Sequence, residues 1–191
     1  MEVYLIRHAE ANPSISPDPY SVPLTEVGRA QAEQIAQDCA IRDIQFLCTS
    51  PMRSAQETAD AVMRRLPNIE RWDIRELEDM TTDDLLGEPM VSPLVSAWTA
   101  EQIRLGRERA WVRVTAALSR ILLYAQANGL ERIAIISHDV ILNMLLLNWL
   151  ELDWRALDYL SFRWEPASST LVSLSDAKTH IVWLNRPTHV P

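Results

Sequence analysis

Val3-Tyr4-Leu5-Ile6 runs straight into Arg7-His8, and the reading of this stretch decides the fold. Its apolar residues show no helical period and stop at two polar side chains, as a strand buried on both faces does where it leaves its sheet. A strand of that kind belongs to a sheet covered by helices on both sides. The rest of the chain should therefore alternate strand and helix.

It does. The polar stretch Ala11 to Pro23 holds four prolines and reads as a loop, and Thr25 then offers a side-chain cap. After it, Val27, Ala30, Ile35 and Ala36 share one side of a helix reaching about Asp38. A second strand, Ile44 to Cys48, hands over through Thr49-Ser50-Pro51 to a helix carrying Ala55, Ala59, Ala61 and Val62. Further strands are expected at Trp72–Ile74, Arg132–Ser137, Thr170–Leu174 and His180–Leu184. Leu77 to Gly129 reads as largely helical, with an acidic start and with Pro89 and Pro93 breaking any continuous helix. Val140 to Leu150 reads as a buried helix. Units of this length point to an α/β domain with a mainly parallel sheet.

The 191 residues, 48% of them hydrophobic, suffice for a sizeable core and suggest one domain over 1–191, with 77–110 as a lid or insertion. A net charge of -8 with no Lys/Arg run argues against nucleic acid or an anionic membrane as partner. A small anion can still bind in a local basic pocket. Cys39 and Cys48 are the two cysteines, too few for a disulfide framework and without CxxC spacing. The start, MEVYLIRHAE, lacks the apolar core of a signal peptide, and Val140–Leu150 is shorter than the roughly 20 residues a bilayer span needs. A cytoplasmic protein is the expectation.

In open α/β sheets, ligands bind outside the carboxyl ends of the strands. Here those ends carry Arg7-His8, Thr49-Ser50-Pro51-Met52-Arg53, Glu76 and Ser137-His138, a set that converges if the strands are neighbours. A neutral imidazole can attack phosphorus, and arginine's planar fork binds phosphate while staying charged. Two His beside cationic groups, with no HxxxH or DxD spacing, make a poor metal site.

The motifs RHAEAN (7–12), PLTEVGRAQA (23–32), TSPMRSAQETA (49–59) and IISHDVILNML (135–145) resemble, in order, those of the histidine phosphatase superfamily, also called phosphoglycerate mutase-like. That family shows Arg-His-Gly, Leu-Thr-x-x-Gly-x-x-Gln-Ala, Ser-Pro-x-x-Arg-x-x-x-Thr-Ala and Ser-His-Gly. NRPTHV (185–190) is similar to its C-terminal Asn-x-x-x-His. The resemblance covers most of the chain and is weakest from Leu77 to about Gly106. It implies a three-layer sandwich with a helical lid and a metal-independent phosphatase needing no cofactor. His8 would be the nucleophile, with Arg7, Arg53 and a protonated His138 on the phosphate. Glu76, in an Ile-Arg-Glu match to Leu-Arg-Glu, would be the general acid, with Glu78 and Asp79 as rivals on the same loop.

Ala9 and Asp139 replace the glycines that follow the two His, and Asp139 caps the next helix while bringing negative charge toward an anion site. The family's phosphate-loop Asn falls at Ser14, with Asn12 nearby, so both are candidates for phosphate contact. His180 and His189 read as structural. Alternative readings are a phosphoglycerate mutase, which the compact length disfavours, and a non-catalytic phosphate or protein-binding module. The expected partner is a small phosphorylated substrate or a phosphoprotein.

Overall fold

A computed structural model describes residues 1–80, 99–175 and 178–187. Its centre is a six-stranded sheet in the order β3-β2-β4-β1-β5-β6. The strands are β1 (Glu2–Arg7), β2 (Phe46–Thr49), β3 (Glu70–Asp73), β4 (Arg132–Ser137), β5 (Ser168–Leu174) and β6 (Thr179–Pro187). The helices are α1 (Glu26–Ile41), α2 (Arg53–Arg65), α3 (Ala100–Ala127) and α4 (Asp139–Trp149). The first four strands pair in parallel, whereas β5 runs antiparallel to β1 and to β6.

Strand periodicity explains why β1 and β4 read as unbroken apolar runs. Successive side chains point to opposite faces, and both faces are covered. Val3, Leu5, Phe46, Cys48, Ile133 and Ile135 pack with α3 and α4. Tyr4, Ile6, Leu47, Ala134 and Ile136 pack with α1 and α2. The α4 helix is apolar nearly all round and buried from Ile141 to Leu147, each large side chain contributing roughly 1.5–3 kcal/mol by leaving water. This is the three-layer α/β arrangement expected.

Boundaries differ by one to three residues from the sequence expectations, and the reasons are local. The first helix runs three residues past Asp38 to Ile41, Thr25 accepting from the Gly28 amide as its cap. The second strand starts at Phe46 because Asp43, at φ 52°, turns the chain before it. Asp139 does not cap α4: His138 holds the N-cap position and Asp139 is the first helical residue. Of the expected lid, 100–110 form the first turns of α3, while 81–98, including Pro89 and Pro93, lie outside the described residues. His189 lies outside them too; His180 is exposed on β6, opposite Ser173. Among the described residues no helix is long and apolar enough to cross a membrane.

What the topology achieves for a site is placement. The order β2-β4-β1 sets Thr49 opposite Ile136 and Ser137 opposite Arg7. Three parallel strands thus end side by side at one level.

Candidate active site

His8, one residue beyond β1, is fixed by its backbone. Its N–H donates to the Ser137 carbonyl at 3.0 Å and its own carbonyl accepts from Ala167 at 3.2 Å. The next residue, Ala9, donates its N–H to Thr58 Oγ1 at 3.1 Å. Ala9 is fully buried and is not among the residues with positive φ, so a methyl group is accommodated where the pattern has glycine. Glu10 is clamped by α1: its N–H donates to Gln31 Oε1 at 2.8 Å, its carbonyl accepts from the Thr25 N–H at 3.0 Å, and its carboxylate accepts from the Thr25 hydroxyl at 2.7 Å. Gly28 completes the clamp. A Cβ there would lie 1.9 Å from the Glu10 carbonyl oxygen, so only glycine lets α1 approach so closely. The Leu-Thr-x-x-Gly-x-x-Gln spacing therefore has a mechanical meaning: it grips the chain just after His8.

The imidazole is oriented from within. Nδ1 of His8 lies 2.8 Å from the Ala9 carbonyl oxygen, which can only accept, so Nδ1 carries the proton and Nε2 the lone pair. Burial and the neighbouring His138 hold this imidazole down to about 3, so it is neutral near pH 7. The His138 ring faces it with centroids 4.9 Å apart, and His138 Nε2 is 2.8 Å from Ser50 Oγ. Burial, then the charges of Arg7 and Arg113, hold His138 down to about 3 as well. The ring is therefore neutral near pH 7, chiefly because burial disfavours its charged form, with the arginine charges adding to that.

His8 opens on a recess of about 410 Å³ that Arg7, His138, Met52, Ser54, Ser16 and Asp79 also line. Arg7 donates from Nη1 to the Trp164 carbonyl oxygen, and its Nε is buried with no hydrogen-bond partner among the described residues. A buried guanidinium N–H without a partner is costly unless something accepts from it. An anion in the recess would do so.

The acidic loop after β3 delivers a different carboxyl from the one expected. Glu76 turns toward α3, where its Oε1 pairs with Arg120 at 3.0 Å and that bond holds its carboxyl below the usual range. Glu78 is buried and accepts from the Tyr20 hydroxyl at 2.8 Å. Asp79 is the one that lines the recess, and burial raises its pKa. Arg113 on α3 sets this arrangement, donating to the carbonyls of Glu76 at 2.6 Å, Glu78 at 2.8 Å and Asp79 at 3.1 Å. Ser137 Oγ adds a bond to the Leu77 carbonyl at 2.7 Å. Arg113 carried no motif signal; only its position on the helix facing the loop gives it this role.

Arg53 is likewise not brought to the recess. Counting from Ser50, the pattern Ser-Pro-x-x-Arg falls on Ser54, and Ser54 lines the recess, with Arg53 one residue too early. Arg53 is 54% exposed and pairs with Glu57 at 2.7 Å, on the side facing α1. Nor do Asn12 and Ser14 line it: Asn12 accepts from the Ser14 amide at 2.9 Å to start a short turn, Ser14 is exposed, and Ser16 stands at the wall. Asp139 sits at the rim, its Oδ2 4.0 Å from Arg7 Nη1. Among the described residues no three His, Cys, Asp or Glu side chains converge as metal ligands.

Comparison with known proteins completes the description. The sequence model of the histidine phosphatase superfamily (branch 1) matches residues 3–187. The alpha-ribazole phosphatase of Shigella flexneri is similar in structure, with TM-score 0.75 and 20% identity over 100% of both chains. A mycobacterial glucosyl-3-phosphoglycerate phosphatase matches with TM-score 0.74 and 17% identity, over 97% of this chain and 99% of that one. A phosphoserine phosphatase from Entamoeba histolytica matches with TM-score 0.65 and 16% identity over 96% of each chain. No curated protein matches the sequence.

Proposed function

The chain belongs to the histidine phosphatase superfamily (branch 1), and from that membership we propose that it is a metal-independent phosphatase hydrolysing phosphomonoesters through a phosphohistidine on His8. The observation that carries this reading is the bond from His8 Nδ1 to the Ala9 carbonyl, which leaves Nε2 unprotonated in a recess that also holds Arg7 and Asp79. That the structural neighbours named above are phosphatases supports the reaction type without selecting a substrate.

In this mechanism Nε2 of His8 attacks phosphorus in line as the ester P–O bond breaks. Asp79, whose pKa is raised by burial and would be raised further by a bound dianion, gives its proton to the departing alkoxide, and an alcohol leaves. Water then attacks the phosphohistidine, the Asp79 carboxylate takes its proton, and inorganic phosphate departs with His8 restored. Arg7 binds the equatorial oxygens through the buried Nε. A phosphate dianion reverses the field at His138, so that ring takes up a proton when substrate binds and donates to the developing charge.

Two features favour a second reading, a phosphate-binding module without turnover: serine at the arginine position of the second motif, and Asp139 at 4.0 Å from Arg7. One experiment decides. Turnover of p-nitrophenyl phosphate, unaffected by EDTA and abolished in His8→Ala, supports the phosphatase; vanadate binding with no turnover supports the module.

A further inference from the structure

Beside the recess lies a second cavity of about 410 Å³, and Asp79 lines both. Its walls are apolar at Met80, Ile103, Val140 and Leu157, with Asp139 at the boundary. Its volume falls in the range of small-molecule sites. If phosphorus sits against His8 and Asp79 protonates the ester oxygen, the alcohol half of the substrate extends into this cavity. We propose that this cavity is the leaving-group site, and that Asp139 selects a phosphomonoester whose alcohol carries an ammonium group on an apolar body. This rests on the phosphatase reading above.

The argument is one of charge balance. Asp139 Oδ1 accepts from Asn143 Nδ2 at 2.8 Å, while Oδ2 faces Arg7 Nη1 at 4.0 Å, beyond hydrogen-bond distance. When phosphate docks on Arg7, that guanidinium is shared with a dianion, and the Asp139 carboxylate is left facing the cavity with its cation already engaged. The other charged wall does not compensate: Arg107 is bonded to Asp158 at 2.7 Å, so its charge is already matched. A cation carried by the substrate restores the balance, and the apolar walls accept the carbon skeleton between amine and ester. An anionic leaving group would meet the Asp139 carboxylate with no cation left to match it.

The test compares three aryl esters of one shape, with matched leaving groups: O-phosphotyramine (cationic), 4-ethylphenyl phosphate (neutral) and 3-(4-phosphonooxyphenyl)propionate (anionic). For a hydrogen bond from an ammonium to a charged carboxylate, kcat/KM should favour the cationic over the neutral ester by about tenfold, with the anionic ester slowest. In Asp139→Asn, and separately in Asp139→Gly, the cation-to-neutral ratio should collapse to within about threefold. Because each ratio is taken within one protein, a general loss of activity cancels. A wild-type ratio near one, or a preference for the anionic ester, overturns the proposal while leaving the phosphatase reading intact. A tenfold preference that survives both substitutions overturns the role of Asp139. No turnover of any ester, p-nitrophenyl phosphate included, removes the phosphatase reading and this substrate class with it.

Discussion

His8 Nδ1 and the carbonyl oxygen of its neighbour Ala9 are 2.8 Å apart, and this contact within two consecutive residues sets the tautomer of the ring. The carbonyl cannot donate, so the ring proton stays on Nδ1 and the lone pair on Nε2 points away from the backbone. The phosphoenzyme should therefore be the Nε2-linked isomer. Rapid quench at alkaline pH, followed by phosphorus NMR or mass spectrometry of the labelled peptide, reads the linkage directly. An Nδ1 adduct would mean that the ring flips before it reacts.

Asp79 and Glu76 are separable by leaving group. A general acid matters most where the departing oxygen is a poor leaving group, so Asp79→Asn should lower kcat on alkyl phosphates by about a hundredfold or more. The loss on p-nitrophenyl phosphate should be far smaller, since that leaving group needs little help. Glu76→Gln, which breaks the pair with Arg120, should affect both substrates alike. The pH profile gives a second readout. If Asp79 is the acid it must act protonated, so kcat/KM should fall as pH rises through its raised pKa, whereas His8 as the nucleophile should impose no acid limb until about pH 3. Equal damage by Asp79→Asn on both substrates would remove Asp79 as the acid.

Acid stability follows from the buried imidazoles. His138 is held down to about 3 in the fold against 6.5 for the free side chain, so between those values the unfolded chain binds a proton that the native state refuses. That contribution is intact above pH 6.5 and is lost progressively as pH falls toward 3, amounting to about 2 kcal/mol by pH 5. Asp79 acts with the opposite sign, since burial raises its pKa and acid favours the native form through that group. Only a difference measurement isolates the histidine. Urea unfolding of wild type and His138→Gln at pH 7.5 and at pH 5 should show the variant gaining about 2 kcal/mol relative to wild type on acidification. A gap that does not change with pH would place the His138 imidazole in contact with water.

What the sequence made legible, and what it hid, divides along physical lines. The sheet was readable because strands buried on both faces leave an unbroken apolar signature, as in Val3–Ile6 and Ile133–Ile136. His8 and His138 were readable because they directly follow such strands, and backbone pairing carries them to one place. Glu76 and Asp79 were not distinguishable, since the turn Arg75–Leu77 rotates successive side chains to different sides and the direction is imposed by Arg113, thirty-odd positions away. Nor could composition tell that Asn12 spends its side chain on capping its own turn.

Arg53 stands one position before the place where the motif has its arginine, and it makes the sharpest test. Resemblance alone assigns it to phosphate, but on α2 each residue is rotated by about 100° from the one before, so a one-position offset moves a side chain to a different face. Ser54 takes the direction of the recess, and Arg53 reaches Glu57 at 2.7 Å, at i,i+4 on the exposed side. An exposed helical pair of this kind is worth about 0.3–0.5 kcal/mol. Arg53→Ala should therefore cost little stability and leave kcat/KM on p-nitrophenyl phosphate, and the affinity for vanadate, within about threefold of wild type. Arg7→Ala should instead weaken vanadate binding by a hundredfold or more, since a buried charged donor to phosphate is lost, at about 1.4 kcal/mol per tenfold. Steady-state kinetics and vanadate inhibition on the two variants check both values. If Arg53→Ala proves as damaging as Arg7→Ala, then Arg53 leaves Glu57 and swings onto the substrate during turnover, and the recess has two guanidinium groups rather than one.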